Sequence, residues 1–98
     1  MTYSDLTERA AFISGLRALA DYLESNPEVP APSYSPVYTF PADGDWPAMC
    51  AEIDAIAAPL GVSASHTHGG HYVAVRAFGP VEYRAVSIPS RSDSEQGE

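Results

Sequence analysis

HYVAVRAFGPVEYRAVSI, residues 71–88, holds two runs rich in β-branched and aromatic side chains on either side of Gly79-Pro80. That arrangement predicts a β-hairpin with strands His71 to Phe78 and Val81 to Ile88. A two-residue loop sets Val75 opposite Arg84. A three-residue loop sets Arg76 opposite Arg84, a like-charge contact that should be unfavourable. The spacing alone leaves the register open. Upstream, Val62 to Thr67 is a third strand-like run, separated from His71 by Gly69-Gly70. The last strand is a candidate sheet edge, where unpaired backbone groups invite another strand.

Before these strands, Trp46, Met49, Cys50, Ile53, Ile56, Ala57 and Leu60 recur at spacings of three and four. This predicts a helix from Trp46 to about Ala58 with one apolar stripe. Asp45 can cap its start, and Pro47 is tolerated in its first turn. Pro59 and Gly61 should stop it, Gly61 suiting a left-handed cap. Nearer the N-terminus, Leu6, Phe12, Ile13, Leu16, Leu19, Ala20 and Leu23 predict another helix, approximately Ser4 to Ser25, closed by Pro27. Prolines at 27, 30, 32 and 36 then make an extended strap, followed by a short β-like run from Val37 to Phe40.

The order is therefore α-β-α-β-β-β. It implies an α+β fold with two helices packed on one face of a small, mainly antiparallel sheet. One domain is expected over 1–89, with 90–98 a disordered acidic tail. Phe12, Leu16, Leu19, Ile53, Ile56, Val73 and Val75 are expected to share one core.

Charge narrows the functions. Over 98 residues, 13 carboxylates face 5 basic residues, for a net charge of −8. Such a surface is repelled by nucleic-acid phosphates and by anionic membranes, so direct nucleic-acid binding is disfavoured. No apolar run approaches the ~18 residues that a membrane helix needs. The N-terminus lacks the basic start and apolar core of a signal peptide, and Cys50 is the single cysteine. A cytoplasmic location is expected. All five basic residues are Arg and alanine is abundant, as GC-rich genomes tend to encode.

Phe78-Gly79-Pro80-Val81-Glu82-Tyr83-Arg84-Ala85-Val86 resembles a segment of small uncharacterised proteins of actinobacteria and their phages. The similarity extends to the leading helix, to Asn26-Pro27-Glu28-Val29-Pro30, and to the Ile-Ala-x-x-Leu-Gly-Val of the second helix, covering most of 12–88. It implies a shared fold. It carries no activity and no site residues.

Few residues suggest chemistry. His66, His68 and His71 flank a glycine turn, and three imidazoles suit zinc. No orienting carboxylate lies nearby in sequence, so an exposed turn is the better expectation, with no metal and no cofactor. Cys50 falls within an apolar stripe, where a thiolate is disfavoured. Glu52 and Asp54 fall on the polar side of their helix, and nothing makes carboxylates converge for acid–base work. Phosphate loops, nucleophile elbows and zinc-ribbon spacings are missing from the sequence.

Arg76, Phe78, Glu82, Tyr83 and Arg84 cluster around the Gly-Pro turn, and Arg and aromatic side chains are enriched where proteins meet. They are the candidate binding residues. A small binding or regulatory module is expected, phage-derived or serving its host, acting on a protein partner or through self-association. Mimicry of nucleic acid by the acidic surface is one version of it. The alternative is a small metal-dependent or acid–base enzyme built on His66, His68 and His71.

Overall fold

The computed structural model describes residues 3–41 and 44–89, so the tail expected over 90–98 lies outside the described residues. The chain divides into two compact units, Met1–Pro32 and Ser33–Glu98. The first contains helix α1 (Tyr3–Ser25), whose last turn is closed by the Asn26 side-chain amide donating to Tyr22 O at 2.8 Å. Phe12, Leu16 and Leu19, expected in the core, are 55%, 44% and 55% exposed. Among the described residues their unit holds this one helix followed by a turn in which Val29 N–H donates to Asn26 O at 2.9 Å, so it offers no second helix or strand to cover the stripe.

The second unit holds strand β1 (Ser35–Thr39), helix α2 (Trp46–Leu60), and strands β2 (Ser65–His66), β3 (Tyr72–Phe78) and β4 (Val81–Ser87). The sheet order is β1-β4-β3-β2. β3 pairs antiparallel with both β2 and β4, while β1 pairs parallel with β4. The α+β class and the element order are as the sequence implies, but the sheet is mixed. β4 lies in its interior, so the expected edge at the last strand is replaced by an edge at β1. A parallel neighbour can be reached only through a long crossover, which residues 40–80 supply.

α2 forms where its stripe predicts. Asp45 Oδ1 accepts from Ala48 N–H at 2.9 Å, satisfying an orphan donor of the first turn. At the other end Gly61 adopts φ 73°, with its N–H on Ala58 O and Val62 N–H on Ala57 O. This paired closure is the Schellman arrangement. It also explains why β2 is shorter than the run from Val62 predicts: Val62 belongs to the helix stop. Pro59 sits inside the last turn rather than ending the helix.

All seven stripe positions of α2 are buried or half-buried, and Ile53 is fully buried. Ile53 and Ala57 pack on Ala74 of β3 and Ala85 of β4, ringed by Ile56, Leu60, Val62, Tyr72 and Tyr83. Alanines at the cross-strand pair Ala74↔Ala85 let the helix backbone come close to the sheet. Ser87, nearly fully buried, satisfies its hydroxyl by donating to Met49 O at 3.1 Å.

Phe78↔Val81 closes the hairpin and leaves Gly79-Pro80 as a two-residue loop. Gly79 has φ 64°, the positive value that a type II′ turn demands at its first loop position. Val75 therefore faces Arg84, and the like-charge register is avoided.

Candidate functional site

The register fixes where each candidate residue points. Successive side chains alternate between faces, and antiparallel partners share a face. Ala74 and Ala85 lie under α2, so Arg76, Phe78 and Tyr83 share that face, whereas Glu82 and Arg84 occupy the opposite one. The five candidate residues are thus brought to one hairpin but split between its two faces.

On the α2 face the three are engaged. Tyr83 packs against the core. Arg76 Nη1–H donates to Leu60 O at 3.1 Å, placing a cation on the last carbonyls of α2, where the helix dipole favours it. The Arg76 guanidinium carbon also stands 5.3 Å from the centroid of the Phe78 ring. Arg76 thus tethers the end of α2 while remaining exposed, as does Phe78 at 58%.

The opposite face is built differently. Glu82 Oε1 accepts from the Tyr34 hydroxyl at 2.8 Å and lies 3.4 Å from Arg84 Nε. Arg84 Nε is itself buried and has no hydrogen-bond partner, so this ion pair is a charge contact without a directed bond. The hydrogen bond to Glu82 holds the Tyr34 pKa above the usual tyrosine value. Tyr38 of β1 lies beside Arg84 in the parallel register. Its ring stacks on Phe40, with centroids 5.9 Å apart and planes 15° apart. Tyr34, Tyr38 and Phe40 are each more than half exposed. Toward Val73 and Val86 the same face is buried.

These aromatic residues escaped the sequence reading. They lie in a proline-rich strap whose pairing partner is nearly fifty residues away. The signal was present as Tyr34, Tyr38 and Phe40 recurring at even positions, which is strand spacing.

A second polar cluster joins α2 to the far strands. The Tyr72 hydroxyl donates to Asp54 Oδ1 at 2.6 Å, and the His66 ring lies 4.7 Å from that of Tyr72. Asp54 is one turn beyond Cys50 on α2. It lies on the exposed, polar side of the helix, as the pattern suggested, and accepts the Tyr72 hydroxyl there. The Cys50 thiol is pushed above its ordinary pKa by burial and then by the Asp54 charge, which disfavours a nucleophilic thiolate. Its half-buried position fits a packing role.

His66, His68 and His71 do not converge. The turn between them is held by Thr67 N–H on His71 O at 2.8 Å and by His71 N–H on Thr67 Oγ1 at 3.2 Å. Among the described residues no three His, Cys, Asp or Glu side chains are grouped to hold a metal ion. No helix among them is long and apolar enough to cross a membrane.

Comparison of the chain with protein-family models, with curated proteins and with solved structures gives no match.

Proposed function

We propose that the protein is a small binding module of the cytoplasm that acts through protein–protein contacts, on the sheet face turned away from α2. The observation that carries this reading is the exposed aromatic group of Tyr34, Tyr38 and Phe40 beside the Glu82–Arg84 pair. Rings and a guanidinium side by side combine contact area with directed hydrogen bonding, the chemistry of interface hot spots. The Arg84 side chain is 32% exposed beside Glu82, which leaves part of a guanidinium open to a partner's carboxylate. An actinobacterial or phage origin belongs to the same proposal and is supported by arginine being the only basic residue type. Among the described residues His66, His68 and His71 form no group that could hold a metal ion, so the enzymatic reading has no supporting geometry there.

The test is retention of partners by the immobilised chain, with Arg84→Gln and Phe40→Ser beside wild type. Binding lost in both folded variants supports this face. A partner set that neither variant changes places the contact surface elsewhere.

A further inference from the structure

The outer edge of β1 lies in an uncharged, aromatic stretch of the chain. From Val29 to Ala42 the sequence has no charged residue, in a chain of net charge −8. Among the described residues no strand pairs with that edge. Natural edges are usually guarded by charge, by proline or by a covering element. Here the guards are Pro36, inside the strand, and Pro41, just beyond it.

The parallel ladder dictates which backbone groups are free. Ser35 N–H donates to Pro80 O at 3.0 Å, so Ser35, Val37 and Thr39 turn their peptide groups toward β4. The groups of Pro36, Tyr38 and Phe40 therefore turn outward. Pro36 offers a carbonyl alone. The free set is the Pro36 carbonyl together with the N–H and C=O of Tyr38 and of Phe40.

We propose that two copies of the chain pair antiparallel through the outer edge of β1, about a two-fold axis at Tyr38. In that register each Tyr38 N–H donates to the Tyr38 carbonyl of the other copy. Each Phe40 N–H donates to the Pro36 carbonyl of the other copy. Only the Phe40 carbonyls face the missing donor of Pro36. The same two-fold sets each exposed Phe40 ring beside a Pro36 ring and one Tyr38 beside the other, on the face that carries the Tyr38–Phe40 stack. Pro36 and Pro41 bound the pairing, so it closes as a dimer rather than extending.

Charge selects the occupant. Two acidic copies repel over most of their surfaces, and a neutral edge meeting a neutral edge is the approach at which that repulsion is least. The edge offers no charge by which to select an acidic or basic peptide, whereas a second β1 satisfies all its free groups but the Phe40 carbonyl. The joint is small, so the equilibrium belongs to the weak end of specific interfaces.

This inference rests on the reading of the protein as a module that works through protein contacts, and it names one partner. Sedimentation of the full chain from micromolar to submillimolar concentration should show a monomer–dimer equilibrium. Raising the salt should strengthen it, because screening reduces like-charge repulsion. Tyr38→Pro removes an outward N–H without touching a β1–β4 hydrogen bond and should weaken dimerisation roughly ten- to hundredfold. Tyr38→Glu, which keeps the backbone donor but introduces paired like charges, should also abolish it. Amide exchange on wild type supplies a measurement independent of any variant. Protection at Tyr38 and Phe40 should rise with concentration while Val37 and Thr39 stay constant. A single monomeric species throughout, a dimer unaffected by both substitutions, or concentration-independent exchange at Tyr38 overturns the proposal. Arg84→Gln separates the two readings: it should leave the dimer intact while removing a heterologous partner.

Discussion

The two faces of the sheet differ in what their residues are made to meet. Under α2 the central positions are small, Ala74 and Ala85, and a capped helix brings Ile53 and Ala57 down onto them. On the other face the hairpin end carries long and aromatic side chains, Arg84, Glu82 and Tyr38, with Phe40 and Tyr34 at its margin. Small residues allow close packing, and close packing requires a rigid, well-stopped helix. Large rings beside a charged pair do the reverse: they leave area in contact with solvent. One sheet thus supplies a structural face and a face suited to contact, divided by the alternation of β4.

The sharpest way to break this contrast is to delete side chains from each face. Ile53→Ala removes the fully buried centre of the α2 face and should cost about 2–5 kcal/mol. Phe40→Ala, at 58% exposure, should change stability by about 1 kcal/mol or less. Urea unfolding of the two variants tests the pair, and equal losses would erase the distinction. An intermediate effect is expected where α2 stops. Gly61 adopts φ 73° with no atom within 4 Å of a built Cβ, so Gly61→Ala is opposed by backbone conformation alone. About 1–2 kcal/mol is expected, the usual cost of a left-handed residue carrying a Cβ. A neutral result would show that the helix stop does not position the structural face.

The smallest effect lies at alkaline pH and compares a tyrosine from each face. Tyr72 donates to Asp54 and Tyr34 to Glu82, and both hydrogen bonds raise the phenol pKa. A raised folded-state pKa favours the protonated form in the native protein. The associated stability is fully present below the unfolded value near 10 and is lost as pH rises through the folded value. Unfolding free energy should therefore fall above about pH 10. Tyr72→Phe and Tyr34→Phe should each flatten that fall. Phenolate absorbance at 295 nm, followed through the titration, should show wild type ionising later than the unfolded chain.

Local signals were legible and distant ones were not. The Asp45 cap, the Gly61 stop and the apolar stripe of α2 follow from residues within one turn of each other, and all are present. The two-residue loop at Gly79-Pro80 could be written down as one of two registers, and avoidance of an Arg76–Arg84 contact favoured the one observed. The pairing of β1 beside β4 left no local trace, because it depends on residues 35 and 81 meeting through a long crossover. That pairing moves the sheet edge, and with it the surface most suited to contact. The division of Arg76, Phe78 and Tyr83 from Glu82 and Arg84 was hidden for a related reason: face assignments require both a register and a helix to define the covered side.

The parallel joint between β1 and β4 also sets a schedule for synthesis. Ser35 pairs with Val81, a residue made 46 positions later. At a ribosomal rate of about 5–20 residues per second, β1 leaves the polymerisation centre roughly 2–9 s before its partner exists. During that interval an aromatic, uncharged strand waits without its partner. Prolines at 30, 32, 36 and 41 deny backbone donors along that stretch, so nascent neighbours on one messenger find few groups to pair with until β4 arrives.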